Sequence, residues 1–329
     1  MKAWKQLFAA MIVACGAMSS AQALEQVTYL NPAPLSLPTF APLQIAKVRG
    51  YFKDENLDVK LLIGRGGADV AKQVAVGNAD LGGAMGDTTM IVRANGLPLR
   101  AVALLGGHPL MKIASREDGP IKKITDLRGR KIAVNSFQDT GYYALLGALY
   151  GSGLKRDDVE VLAPGPAGVT KLMAAGTVDA IMATPDWGVY LEKDGMKLHY
   201  ISVEDVFPSM AQAIIASDAV IKNRPQIVKG FVRAVMRALN DIVRDPEAAA
   251  KDFVVAVPEQ KGREKVVEAI IRRMVRDVYS VPDPKQLGRF DPKVLKKVQD
   301  FYLEHKLIEK AVPVQDLYTN EFVEASSNQ

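Results

Sequence analysis

The sequence predicts an α/β protein of two similar lobes with a ligand cleft between them. Three observations carry that prediction. First, one pattern occurs twice: Val74-Ala75-Val76-Gly77-Asn78-Ala79-Asp80-Leu81-Gly82-Gly83-Ala84 and Met173-Ala174-Ala175-Gly176-Thr177-Val178-Asp179-Ala180-Ile181-Met182-Ala183, with Gly77 and Gly176 99 residues apart. Each copy reads as a helix end, a glycine stop, a turn with an Asp, and a buried strand. Second, β-prone and helix-periodic runs alternate β-α-β-α-β around each copy, which implies a parallel sheet with helices on its faces. Third, a chain of 329 residues, 48% hydrophobic and 24% charged, has the length of two domains and the composition of a globular protein.

Before the first strand, Lys2 and Lys5 precede an apolar stretch from Leu7 to Ala17, and small residues end at Ala21-Gln22-Ala23. That is the plan of a secretory signal, residues 1–23, cleaved after Ala23. A membrane anchor fits less well. Eleven residues of helix rise ~16 Å, about half of the ~30 Å hydrocarbon core. Ile12-Val13-Ala14-Cys15 also reads as a lipoprotein processing box, so a lipid anchor at Cys15 stands as the alternative to soluble export. Cys15 is the sole cysteine, which excludes disulfides and thiolate metal or iron–sulfur sites.

In the first half, Val27–Leu30 is a strand ending at Asn31, followed by a proline-rich loop to Pro42. Leu43–Val48 is a helix stopped by Gly50, and Asp58–Ile63 is the next strand. The loop Gly64-Arg65-Gly66-Gly67 leads to a helix from Ala68 to Val76, then to the strand at Leu81. The second half repeats this order. Its strands lie at Lys131–Val134, Val159–Leu162 and Ala180, and its helices at Thr140–Tyr150 and Val169–Ala175. Ala213–Ala216 is a strand carrying the chain back to the first lobe. Beyond it, helices beginning near Pro225, Pro246, Val266 and Pro292 cover the first lobe's sheet.

Ligands of open parallel sheets bind beyond the carboxyl ends of the strands. That rule selects loops near 31–40, 64–67, 85–89, 135–142, 163–168 and 184–188. Asp87 and Asp186 fall just past equivalent strands, where each can cap a helix, line the cleft, or do both. Thr140-Gly141-Tyr142 opens a helix whose free N–H groups favour an anion. Phe40, Tyr142 and Trp187 are the aromatic residues of these loops. Gly64-Arg65-Gly66-Gly67 lacks the third glycine of a dinucleotide fingerprint and the Lys-Ser/Thr ending of a phosphate loop. His108, His199 and His305 form no metal-ligand spacing, so no metal site and no cofactor are expected. Lys plus Arg exceeds Asp plus Glu by 42 to 37 without clustering, which speaks against nucleic acid as a partner.

Several segments, taken together, resemble one family. They are Gly50-Tyr51-Phe52, Leu57-Asp58-Val59, Val76-Gly77-Asn78-Ala79-Asp80, Ile124-Thr125-Asp126-Leu127-Arg128-Gly129-Arg130-Lys131-Ile132-Ala133-Val134 and Gly176-Thr177-Val178-Asp179-Ala180. The family is the nitrate/sulfonate/taurine-type solute-binding proteins of ABC importers, which also contains thiamine-pyrimidine-precursor binders. The resemblance implies a type II periplasmic-binding fold, with one lobe of residues 24–115 plus 207–329 and the other of 116–206. It implies a small-molecule ligand held by loops matching Ser36, Thr39, Phe40, Gly66, Asp87, Thr88, Thr140, Gly141, Tyr142, Asp186 and Trp187. It further implies a periplasmic monomer that delivers its ligand to an ABC permease and its ATPase in the inner membrane. The ligand class expected is a sulfonate, a taurine-like molecule, or an amine or pyrimidine. Two rival readings are a sensor that hands ligand to a receptor and a pyrimidine-synthase-like enzyme. Those synthases carry a cysteine-rich motif that this chain lacks, so no catalytic residue is expected.

Overall fold

The computed structural model describes residues 23–323. Residues 1–22 of the signal segment, Cys15 among them, lie outside the described residues.

The first four strands are β1 (Glu25–Asn31), β2 (Leu57–Ile63), β3 (Leu81–Met85) and β4 (Leu99–Leu104). The next five are β5 (Lys112–Arg116), β6 (Lys131–Ala133), β7 (Glu160–Leu162), β8 (Ala180–Ala183) and β9 (Leu198–Ile201). The chain then returns through β10 (Gln212–Ser217). Two five-stranded sheets result, in the orders β2-β1-β3-β10-β4 and β7-β6-β8-β5-β9. The two orders are equivalent, so the repetition read from the sequence is a repetition of topology. Neither sheet is purely parallel, as the alternation alone had suggested. β10 runs antiparallel to β3 and β4, and β5 antiparallel to β8 and β9.

The repeated glycine–Asp unit has one mechanical role in both lobes. Gly77 and Gly176 have φ of 84° and 69°, the left-handed conformation that ends a helix and that glycine adopts without steric cost. The Asp80 carboxylate then accepts the Thr28 N–H at 2.8 Å while its own N–H donates to Thr28 O. Asp179 makes the same exchange with Lys131, again at 2.8 Å to the carboxylate. Each Asp pins the incoming strand to the start of its neighbour.

The long helix Pro225–Arg244 covers the first sheet with one apolar face, in which Ile227, Val228, Phe231, Val235 and Leu239 are fully buried. Phe231 stacks between Tyr29 of β1 and Phe52, at 5.0 and 5.1 Å between ring centroids. The later helices do more than the expected covering of the first lobe. Glu264–Met274 packs on Pro185–Lys193 of the second lobe and runs into a π-helical turn, Val275–Tyr279. That turn receives the chain leaving β4: the Gly107 and His108 N–H groups both donate to Val278 O, at 2.9 and 3.2 Å. No helix among the described residues is long and apolar enough to cross a membrane.

Candidate functional site

A narrow cavity lies where the carboxyl ends of the strands of both sheets face each other. Its apolar wall is formed by Leu37, Phe40, Met85, Leu110, Met111 and Trp187. Its polar groups are Thr39, Asn135, Asp139, Thr140, Thr184, Asp186 and Gln212, all buried. None of these lining residues is Lys, Arg or His. Two carboxylates therefore set the electrostatics of the cavity.

Asp186 is fully buried in the first turn of Pro185–Lys193. Its Oδ1 accepts from the Thr184 hydroxyl and from the Trp187 N–H. Its Oδ2 has no well-formed hydrogen bond, and neither has Thr39 Oγ1. Burial pushes the Asp186 pKa up; Thr184, the Trp187 amide and the nearby Thr39 hydroxyl pull it part of the way back. Asp186 also raises the pKa of Tyr190 and of Tyr279 in the π-helical turn, in both cases after burial as the larger cause.

Asp139 caps Thr140–Gly151: its Oδ1 accepts the Gly141 N–H at 2.7 Å and its Oδ2 accepts from Asn135 Nδ2 at 2.6 Å. Burial raises its pKa against those two bonds. The helix start expected to attract an anion is thus already supplied with a carboxylate of the chain itself. Gly141 serves a neighbour, since a Cβ there would lie 2.5 Å from Met111 Sδ.

The lobes touch across this cavity. The Ala68 N–H donates to Gln138 O at 3.2 Å, and Ser136 Oγ donates to Arg65 O at 3.2 Å. Gly66, with φ of 113°, would place a Cβ 2.8 Å from Asp139 Cα. Gln260 reaches from the C-terminal third to Ser36 O at 2.9 Å and to the Tyr190 hydroxyl at 3.3 Å. This is a closed arrangement.

The family model described as NMT1/THI5 like matches residues 37–249. The chain belongs to the NMT1/THI5-like family. Among its curated relatives is the riboflavin-binding protein RibY of Chloroflexus aurantiacus, 27% identical over 328 residues, covering 97% of this chain and 92% of that protein. The 4-amino-5-hydroxymethyl-2-methylpyrimidine phosphate synthase THI13 of Saccharomyces cerevisiae is 24% identical over 258 residues, 71% of this chain and 72% of the synthase. A solved protein of Bordetella bronchiseptica RB50 superposes with a TM-score of 0.76 at 26% identity, covering 92% of this chain and 96% of that one. The alkanesulfonate-binding protein SsuA of Xanthomonas axonopodis pv. citri, bound to MOPS, has a TM-score of 0.71 at 20% identity, covering 91% and 98%. The desulfurization enzyme DSZB shares the fold at a TM-score of 0.59, 18% identity and coverage of 92% and 99%. The two-lobed periplasmic-binding fold is common to binding proteins and at least one enzyme.

Within this NMT1/THI5-like fold, Thr39, Phe40, Thr140, Asp186 and Trp187 line the cavity. The other sequence-derived candidates do not. Asp87 is buried, and its Oδ2 accepts from the Tyr302 hydroxyl at 2.9 Å; Thr88 is buried beside it. Ser36 contributes its carbonyl to Gln260, and Gly66 and Gly141 are close-packing positions. Tyr142 accepts from Arg156 Nε at 3.0 Å and packs edge-on against Phe137. Asn135, Asp139 and Thr184 sit in loops the strand-end rule selects. Gln212 was missed; its signal is a buried polar side chain opening the otherwise apolar run Gln-Ala-Ile-Ile-Ala.

Proposed function

We propose that this protein is the periplasmic solute-binding component of an ABC importer, and that its ligand is a nitrogen-bearing heteroaromatic molecule of aminopyrimidine type. A binding role is supported by the family and by binding proteins among its structural neighbours. The observation that carries the ligand class is the buried Asp186 carboxylate, whose Oδ2 has no well-formed hydrogen bond and only the Thr39 hydroxyl nearby, facing an aromatic and aliphatic cavity with no cation in its wall. An unpaired buried carboxylate oxygen is costly, and a ligand N–H or ring cation removes that cost. Phe40 and Trp187 supply flat apolar surface for a ring, while Gln212 and Asn135 offer both donors and acceptors. A bare sulfonate would meet two carboxylates and no counter-ion. The riboflavin bound by RibY and the aminopyrimidine phosphate made by the THI13 synthase are heteroaromatic too.

Isothermal titration of residues 24–329 with 4-amino-5-hydroxymethyl-2-methylpyrimidine and with simple alkanesulfonates tests this. Saturable binding of the pyrimidine, weakened about tenfold or more by Asp186→Asn, is expected from loss of a charged acceptor. An alkanesulfonate that binds more tightly than the pyrimidine, or an Asp186→Asn variant with unchanged affinity, overturns the ligand class.

A further inference from the structure

A second pocket adjoins the cavity and has the opposite electrostatic character. Leu110 and Thr184 line both spaces, and the second is otherwise lined by Lys112, Tyr200, Arg273, Arg276, Asp277 and their neighbours. Arg273 is held in place by Glu192, at 3.1 and 2.7 Å from its two terminal nitrogens, and by the Tyr200 hydroxyl at 3.0 Å. Arg276 pairs with Asp277 through Nε and Nη2, at 2.6 and 3.1 Å, and Lys112 reaches the same carboxylate at 3.4 Å. Three cations thus share two carboxylates, leaving this pocket one positive charge in excess beside a cavity that carries two buried acids. Glu192 and Asp277 occupy one side of each guanidinium, so the cations are oriented rather than free to fold away.

The π-helical turn Val275–Tyr279 brings Arg276, Asp277 and Val278 to the second pocket, while its Tyr279 is buried close enough to Asp186 to have its pKa raised by it. π-turns inside helices recur at functional sites because the extra residue re-aims side chains.

We propose that this second pocket is an anion-binding annex. The cavity takes the ligand's ring, and Arg273, Arg276 and Lys112 take an acidic group on the same molecule, of phosphate-monoester type. This deepens the ring-binding reading above and rests on it for the ligand's other half. Guanidinium groups bind phosphate by charge-assisted, geometrically matched bonds. Division of labour between the two spaces explains how a chain without a cation in its main cavity accommodates an acidic ligand.

Two measurements separate the annex from the ring site. The first titrates the protein with 4-amino-5-hydroxymethyl-2-methylpyrimidine and with its phosphate ester, following Trp187 fluorescence. The ester is expected to bind about tenfold or more tightly than the alcohol, and Arg276→Gln is expected to bring the ratio of the two affinities close to one. Arg276 has an exposed side chain, so the substitution leaves the core intact. An alcohol that binds while the ester binds no tighter, or a ratio unchanged by Arg276→Gln, overturns the annex and spares the ring reading. The second follows the Arg273 and Arg276 Nε–H NMR signals during addition of inorganic phosphate, which needs no ring. Saturable shifts without binding of either pyrimidine keep the annex and overturn the ring reading; no shifts and no binding overturn both.

Discussion

Asp87 and Asp186 are indistinguishable by sequence logic, each an Asp just past the third strand of its lobe, yet the fold gives them different work. Asp186 faces the cavity. Asp87 faces Tyr302, which arrives from 215 residues away and stacks on Phe207 at 5.6 Å between centroids. Sequence reading locates the strand end; it cannot locate a partner delivered by a distant helix. The environment leaves a titration signature. Burial raises the Asp87 pKa to about 6, and the Tyr302 bond pulls the other way. Between about pH 4 and pH 6 the native state holds a proton the unfolded chain has released. The stabilisation is therefore fully present below about pH 4 and is lost as pH rises through about 6, by at most about 3 kcal/mol. Asp87→Asn keeps an acceptor for Tyr302 and does not titrate. Its Tm relative to wild type is expected to rise by roughly 4 °C between pH 4.5 and 7. A difference independent of pH would show that Asp87 titrates normally. Taking the pair difference at each pH cancels the other buried acids, Asp139 and Asp186, whose pKa values burial also raises.

At the scale of elements, the glycine–Asp units and the strands beside them were legible because each combines a stop signal, a turn residue and an apolar run. β4, β5 and β9 were not singled out. Leu-Arg-Ala-Val-Ala-Leu follows the Gly96 stop but has no Asp turn before it and no clean alternation, Lys-Ile-Ala-Ser-Arg follows no helix stop, and Leu-His-Tyr-Ile is only half-buried along its length. The π-helical turn has no sequence signature at all, since it exists to meet the chain leaving β4. Gly106 shows how closely they meet: its φ is 146°, and a Cβ there would lie 2.3 Å from Val278 O. Because the obstacle is a backbone carbonyl, it cannot rotate aside. Gly106→Ala is expected to destabilise the protein by about 2 kcal/mol or more through strain and overlap. Denaturant unfolding measures it, and a midpoint equal to wild type would mean that this crossing yields freely.

For the whole molecule, two lobes and a cleft were readable from repetition and from the strand-end rule, and five of the eleven candidate site residues line the cavity. What escaped was closure, because contacts between lobes depend on how two finished bodies meet. Gly66 is a position where backbone meets backbone across the lobes, against Gln138 and Asp139. Gly66→Ala is expected to hold the lobes apart. Small-angle scattering would then show no ligand-induced decrease in radius of gyration, and ligand affinity would fall with it. Compaction equal to wild type would show that closure does not need this approach.

The position of β10 has a bearing on the order in which the molecule can assemble. It pairs with both β3 and β4, so until residues 212–217 have been synthesised those two strands have no neighbour between them and each presents an open edge. The second sheet faces no such wait, because its strands all lie between residues 112 and 201. On the ribosome, the lobe begun first is therefore finished last. A nascent chain of about two hundred residues carries one complete sheet and one split in two, a state in which unpaired edges are open to a chaperone, or to another chain, until a single late strand arrives.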